Sequence, residues 1–394
     1  MNHLEKLLDG VEVEWKTLGD VAELKRGTSI TKKTSIEGEF PVISGGQQPA
    51  YFVDQFNRSG ETITVAGSGA YAGFVMYWNE PIFVSDAFSI KADESKVLPR
   101  YIFHFLLNIQ DKIHDLQSGG GVPHVYAKDV ARFQIPIPPL EVQKEIVRIL
   151  DMFTELTAEL TAELTAELTA RKQQYEYYRN KLLNFNELNG WGYKYLTMSE
   201  LGILIRGNGL PKSDFTECGV PAIHYGQIYT YYGTSTKHTL SFVSVETAKK
   251  LRKVNYGDVV ITNTSENIED VGKAVVYLGE EEAVTGGHAT IFKPSKAITG
   301  KFFTYFTQTE HFAIQKRKYA KGTKVIDVSA NDMAKILIPV PSPEEQARIV
   351  SILDKFDILT TSISEGLPKE IELRKKQYEH YRDLLLTFPH KETA

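Results

Sequence analysis

Between Phe153 and Ala170 the chain reads FTELTAELTAELTAELTA, which places leucine at every fourth position: Leu156, Leu160, Leu164 and Leu168. On a helix of 3.6 residues per turn, residues four apart lie nearly above one another, so these leucines form one drifting apolar seam. Alanine and glutamate favour helix, and no glycine or proline interrupts residues 140–189. The pattern predicts a long helix with a narrow apolar face. No catalytic group recurs in it, and it reads as a strut.

The surroundings of this stretch recur. IPIPPLEVQKEIVRILDMF (135–153) returns as IPVPSPEEQARIVSILDKF (338–356), and RKQQYEYYRNKLLNF (171–185) as RKKQYEHYRDLLLTF (374–388). The copies lie 203 positions apart throughout, 135 against 338 and 171 against 374. The seam is kept as well, with Leu359, Ile363, Leu367 and Ile371 in the second copy. Gly366 and Pro368 fall inside that copy and predict a bend or short break. Two apolar stripes of equal length predict an antiparallel coiled coil. The alternative is that each helix packs on its own domain.

A fainter duplication surrounds the helices. WKTLGDVAELKRG (15–27) matches YLTMSELGILIRG (195–207), aligning Arg26-Gly27 with Arg206-Gly207 after a predicted helix. SGGGVPHVYAKDVARFQIPIP (118–138) matches AKGTKVIDVSANDMAKILIPVP (320–341), aligning Gly119 with Gly322 and Asp129 with Asp332. The lead-in from Leu4 to Trp15 echoes Leu183 to Tyr195, and the last helix should end near Phe388. The chain thus reads as a ring cut open between equivalent positions, with pseudo-two-fold symmetry. Between these matches the halves diverge. Each carries short β-type runs: 62–65, 73–77 and 82–84, then 258–262, 274–277 and 289–292. Each ends in a predicted helix, Arg100–Leu116 or Lys301–Lys318. The expected fold class is α+β, with two similar globular domains separated by two long antiparallel helices, and no doubly wound sheet.

Composition narrows this reading. The 394 residues suit about two domains, and 42% hydrophobic content suits a chain with a core. No apolar run spans a bilayer, and residues 1–10 are charged and unlike a signal peptide. The single cysteine, Cys218, excludes an internal disulfide and a cysteine metal site. A reducing, bacterial-type cytoplasm is expected. Net charge is −5, but the charge is uneven: Lys316–Lys324 is strongly basic, while acidic residues crowd into helical stretches such as Glu141–Glu176.

Two divergent domains alternating with two repeated helices, the TAEL repeat, RKQQYEYYR and IPxPxxxxQ together resemble the specificity subunit of a type I restriction–modification system, in the subfamily with TAEL repeats. The resemblance covers the whole chain. It implies a DNA-reading subunit without catalytic activity, in which residues 1–139 and 190–341 are target-recognition domains for the halves of a bipartite, asymmetric site. Residues 140–189 and 342–394 would be conserved helices that set the spacer and dock two methyltransferase subunits. S-adenosylmethionine would belong to those subunits, and ATP and magnesium to the restriction subunits, with no cofactor here. One TAEL unit adds ~6 Å and ~40° beyond a full turn to a helix, against ~3.4 Å and ~35° per base pair. The rotation matches one base-pair step, and the translation does so only if the coiled coil is inclined to the DNA axis or the DNA adjusts. Repeat number would then set the unread spacer in steps of about one base pair.

Absent motifs agree with that division of labour. Lys321-Gly-Thr-Lys324 has the wrong order for a Walker A loop. Asn79-Glu-Pro-Ile-Phe83 breaks the Asp/Asn-Pro-Pro-Phe/Tyr pattern of adenine methyltransferases and reads as a turn before a strand. Gly67–Gly73 lacks dinucleotide-loop spacing and reads as a tight turn. His288 has no ligand partner at metal-site spacing, and Glu280–Glu282 reads as a solvated turn.

Phosphate contacts need Lys, Arg or backbone amides, and base reading needs Arg, Lys, Asn, Gln or hydroxyls on exposed loops. The candidates in the first domain are Arg26, Lys32, Lys33, Gln47, Gln48, Arg58, Ser68 and Tyr71. In the second they are Arg206, Asn208, Lys212, Tyr225, Gln227, Asn263, Ser265, Asn267, Lys318, Lys321 and Lys324. The tyrosines of Ile228–Tyr232 could meet the DNA backbone. Ordinary solvated surface is the competing reading for each. Arg26-Gly27 and Arg206-Gly207 are favoured because both halves keep them, for a shared phosphate clamp or a shared turn. Tyr175, Tyr178, Arg179, Tyr378, Tyr381 and Arg382 are candidates for partner docking, or else cap the coiled coil. Two other classes stay open: a self-sufficient methyltransferase or nuclease, and a coiled-coil adaptor that binds only proteins.

Overall fold

The computed structural model describes residues 10–119, 121–185, 193–361 and 366–388. The chain divides into two units, Met1–Ala162 with Glu372–Ala394, and Glu163–Ile371. Much of the lead-in echo falls outside the described residues, as does Ile363 of the seam.

In the first unit the strand Glu14–Thr17 pairs antiparallel with Gln134–Ile137, so the ways in and out of the domain lie side by side. Thr17 donates its amide and hydroxyl to Asp20 at 3.3 and 2.5 Å, which starts the single helical turn Leu18–Val21. The chain then extends into the strand Ala22–Arg26. That strand edges an antiparallel sheet ordered Ala22–Arg26, Ala87–Ala92, Thr62–Ala66, Val75–Trp78. Thr62–Ala66 is buried along its length, as the unbroken run of apolar residues and threonines suggests. A smaller sheet joins Phe52–Val53, Phe40–Ile43 and Phe83–Val84.

The second unit repeats this plan with additions. Lys194–Thr197 pairs with Leu337–Val340, and Thr197 and Glu200 form a reciprocal capping box before the turn Met198–Leu201. One five-stranded sheet is ordered Gly202–Arg206, Ala289–Pro294, Val259–Thr262, Ala274–Tyr277, Ser235–Thr236. A second has the order Phe215–Thr216, Ser241–Val243, Val220–Ile223, Ala283–Thr285, Arg252–Val254. Both units mix helix and strand.

Each predicted closing helix is divided in two. Pro99–Asn108 is followed by Gln110–His114, because Ile109 leaves helical geometry (φ −106°, ψ 20°). Gly300–Phe306 is followed by Glu310–Tyr319, whose first turn is capped by the Thr309 hydroxyl accepting from Phe312 N–H. Residue-type periodicity runs through both breaks and conceals them.

The central helix runs unbroken from Leu140 to Leu182. Its second copy is two helices, Pro343–Thr361 and Leu367–Leu386, with Gly366 at φ +80° before the latter. The helix ends enter the domain cores: Ile146, Ile149, Leu150, Leu385 and Leu386 join the first, and Tyr175, Leu183, Ile349 and Leu353 the second. The repeat leucines do not. Leu156 is 46% exposed, and Leu160, Leu164 and Leu168 are half-buried.

Duplicated polar locks hold these helices to the domains. The Gln143 amide oxygen accepts from Leu98 N–H (3.0 Å), and its NH2 donates to the Lys96 and Pro138 carbonyls (3.0 and 2.8 Å). Gln346 repeats this with Thr299 N–H (3.0 Å) and the Ala297 and Pro341 carbonyls (2.8 and 3.1 Å). Both glutamines are buried, which gives the IPxPxxxxQ segment a structural meaning: one side chain satisfies backbone groups where two helices begin. Asp151 accepts from Arg100 at 2.9 Å and meets His104 at 2.7 Å. Asp354 accepts from Lys301 at 2.6 Å and Tyr305 at 2.7 Å.

Candidate nucleic-acid interface

Arg26 and Arg206 end the edge strands Ala22–Arg26 and Gly202–Arg206, and neither lies directly after a helix as expected. The one-turn helix ahead of each gives way to five extended residues. The glycine that follows has a local cause. A Cβ on Gly27 would sit 2.3 Å from the Ser85 carbonyl oxygen, and one on Gly207 2.1 Å from that of Gly286. Only glycine admits so close an approach of two backbones. The shared turn therefore accounts for the glycines and leaves the arginines to be explained.

Both arginines are exposed, and each has an aspartate at its tip from a different part of its domain. Arg26 lies 3.7 Å from Asp86, and Arg206 lies 3.5 Å from Asp327. Arg206 also donates to the Gly287 carbonyl at 3.2 Å. Ion pairs this exposed contribute little to stability, so they orient the guanidinium and leave it available. Ser68 donates its hydroxyl to Asp86, and the loop carrying Ser68 bridges to His124. His124 stacks on Tyr126, itself beneath the Lys128 ammonium. Sequence reading missed Asp86, His124, Tyr126 and Asp327; the chain distances of 60 and 121 residues between each arginine and its aspartate carry no local signal.

The other candidates separate by environment. Lys32, Lys33, Gln47, Gln48 and Tyr71 are exposed. Arg58 is turned inward, donating to Ser89 Oγ at 2.7 Å and to the Asn57 and Arg26 carbonyls at 2.8 and 3.2 Å. It braces the strand that presents Arg26. In the second domain Lys212, Lys318 and Lys324 are exposed, while exposed Lys321 pairs with Asp332 at 3.1 Å. Asn208 donates to the Lys250 carbonyl at 2.5 Å, and Gln227 to Ser241 Oγ at 2.6 Å. Asn267 and Asp270 close a turn through bonds of 2.7 and 2.8 Å, and Ser265 accepts from Asn267 N–H.

Among the DNA-contact candidates the structure moves Asn263 to the interior, as it does Tyr175 among those for docking. Asn263 is fully buried, its Oδ1 accepting from Thr290 and its Nδ2 without a partner. The strand Val259–Thr262 continues into it, so its side chain enters the core behind the loop. Lys316 of the basic segment is also buried, donating to the Glu269 and Val271 carbonyls at 2.9 and 2.6 Å. Burial, with Arg317 nearby, pushes its ammonium down to about 8.

An aromatic cluster flanks Arg206. Tyr225 packs on His288 with centroids 4.8 Å apart and on His224 at 4.6 Å. His288 Nδ1 lies 3.0 Å from Thr264 Oγ1, and Tyr229 donates to the Thr264 carbonyl. Burial lowers the His224 pKa, and Lys212 and His288 lower it further. The cluster offers flat ring faces beside an exposed cation, which suits sugar and base contacts next to phosphate. Among the described residues no group of three or more His, Cys, Asp or Glu side chains could hold a metal ion, and no helix is long and apolar enough to cross a membrane.

The residues singled out for docking brace the helices within each unit. Tyr178 stacks on Phe356 at 5.7 Å, Tyr175 tilts on the same ring at 6.2 Å, and Arg179 lies over Tyr175 and donates to Gln308 at 3.3 Å. In the other unit Tyr378 accepts from Thr154 at 3.1 Å, and Arg382 lies over Tyr378 and donates to Asn108 at 3.1 Å.

The family model described as type I restriction modification DNA specificity domain matches residues 10–170 and again 192–373. The specificity subunit of the type I restriction enzyme EcoR124I/EcoR124II of Escherichia coli is 33% identical, over 100% of this chain and 99% of its own. A Haemophilus influenzae protein described as a type I restriction enzyme specificity subunit is 33% identical, over 98% of each chain. Among solved structures, a chain from a study of type I R-M assembly aligns with TM-score 0.62 and 18% identity, covering 96% of this chain and 98% of that one. The HsdS subunit of Thermoanaerobacter tengcongensis aligns with TM-score 0.53 and 18% identity, covering 95% and 96%; these two show likeness of fold. The chain belongs to the type I restriction–modification DNA specificity family and carries its specificity domain twice.

Proposed function

We propose that this chain is the non-catalytic DNA-reading subunit of a type I restriction–modification complex, of the kind with TAEL repeats. Residues 1–139 and 190–341 are target-recognition domains, each reading one half of a split, asymmetric site. Residues 140–189 and 342–394 form an antiparallel coiled coil that spaces them and docks two methyltransferase subunits. Those partners supply S-adenosylmethionine chemistry, and restriction subunits supply ATP- and magnesium-dependent action, all in the cytoplasm. The net charge of −5 suits a subunit whose partners bring much of the positive surface.

The observation that carries this reading is the equivalence of Arg26 and Arg206. Each ends the edge strand of its domain, is exposed, and is aimed by an aspartate recruited from a different place. A group kept in two domains with otherwise different surfaces suits the one thing two different half-sites share, the phosphate backbone. The test is to bind DNA with the methyltransferase complexes of Arg26→Ala and Arg206→Ala. Each should weaken binding uniformly across sequences and lower the salt slope by about 1. A protein-only adaptor predicts no salt-sensitive, sequence-specific binding, and a self-sufficient enzyme predicts methyl transfer without partners.

A further inference from the structure

The two domains diverge most where they would read different half-sites. A feature kept in both is therefore suited to a task that does not depend on base sequence. One such feature is a tight turn. Ser118 and His124 exchange backbone bonds of 3.0 and 2.9 Å, and Lys321 and Asp327, each 203 positions on, exchange bonds of 3.0 and 2.8 Å. Gly119 and Gly322 have φ of +118° and +104°, and a Cβ there would meet the carbonyl oxygens of Val122 at 2.8 Å and Val325 at 2.1 Å. Glycine preserves the turn while most of its neighbours change identity.

Each turn also presents one apolar side chain at the same place: Val122 is 53% exposed and Val325 58%. A lone exposed valine needs no explanation. Two at matched positions of a turn built twice do, because both stay more than half exposed among the described residues. Both turns are rooted beside the equivalent arginine. His124 bridges to Ser68, whose hydroxyl bonds Asp86, the counter-ion of Arg26. Asp327 is itself the counter-ion of Arg206 and pairs with Thr264. The second turn carries exposed Lys321 and Lys324, and the first carries Gly119 and Gly121, whose amides have no side chain to shield them from phosphate oxygens.

We propose that these turns are a matched pair of sequence-independent contacts to double-stranded DNA, in which Val122 and Val325 press an apolar group against sugar and base edges. The flanking arginine and turn amides would hold the adjacent phosphates. This rests on the DNA-reading function proposed above. A repeated valine cannot distinguish two different half-sites, so its contribution is to grip and not to choice.

The test uses the complex of the full chain with its methyltransferase partner, on DNA carrying the split site and on DNA with either half replaced. Val122→Ser and Val325→Ser should each weaken binding about tenfold on every DNA, leave the salt slope unchanged, and leave the recognised bases unchanged. Val122→Leu and Val325→Leu should bind as the unaltered protein, which separates lost apolar contact from a disturbed turn. A changed base preference would overturn the proposal by making the valine a reader. Loss of the methyltransferase with DNA contacts intact would overturn it in favour of a protein-docking tip. Serine variants that bind normally, in a complex that prefers the split site, would defeat this inference alone. A complex with no such preference would defeat the proposed function together with it.

Discussion

Phe153 stacks on Tyr381 with ring centroids 5.0 Å apart and planes 11° from parallel. The residues 203 positions from each, Phe356 and Tyr178, stack in their own unit at 5.7 Å and 26°. An aromatic pair adds about 0.5–1.5 kcal/mol beyond its buried area. A double-mutant cycle of Phe153→Ala and Tyr381→Ala, followed by urea unfolding, should give a coupling energy of about 1 kcal/mol. A value near zero would mean that the stack contributes nothing and would free Tyr381 for a partner.

The buried glutamines make a stronger prediction. Replacing Gln143 or Gln346 by alanine strands three backbone groups in each case, and a buried orphan costs about 1–3 kcal/mol. Each variant should lose about 3 kcal/mol. Hydrogen exchange should place the loss in the first unit for Gln143→Ala and the second for Gln346→Ala.

These locks also show what the sequence makes legible. The repeat at 203 positions reveals the glutamines, the aspartates Asp151 and Asp354 and the aromatic pairs as matched residues, because each copy keeps its side chain at one place on a helix. What each one holds is hidden, since Leu98 and Lys96 lie more than forty positions from Gln143. The candidate interface is concealed for the same reason: Asp86 and Asp327 reach their arginines only once the sheets form. The helix breaks at Ile109 and Thr309 leave the apolar periodicity intact, so pattern alone runs through them. Asn263 is polar and follows a strand, which reads as a loop residue until the sheet carries it inward.

Asp151 and Asp354 hold different partners, and the difference titrates. Burial holds His104 below its ordinary pKa and outweighs Asp151, with Arg100 and Arg382 lowering it further. The unfolded chain then binds more protons below about 6.5. The first unit should be at full stability above that pH and lose stability as pH falls towards the native value. Tyr305, in the matching place, is raised above the ordinary range by burial and by its bond to Asp354, and it stays neutral throughout. His104→Tyr should flatten the acid limb of the first unit's urea midpoint against pH. A limb unchanged by the substitution would assign it to other groups.

The repeat makes a mechanical prediction. Deleting residues 161–164 removes one TAEL unit, shortening the helix by ~6 Å and turning its far end by ~40°. The methylated site should keep both half-sequences and lose about one base pair from the unread spacer. A spacer of unchanged length would rule out the repeat as its ruler.

If this chain chooses the DNA sequence for a methyltransferase, the choice will show in a map of adenine methylation across the host genome with and without the gene, while the methyltransferase subunit is expressed in both strains. Deletion should abolish methylation at one split, asymmetric motif and leave all other motifs as they were. An identical map in the two strains would contradict it.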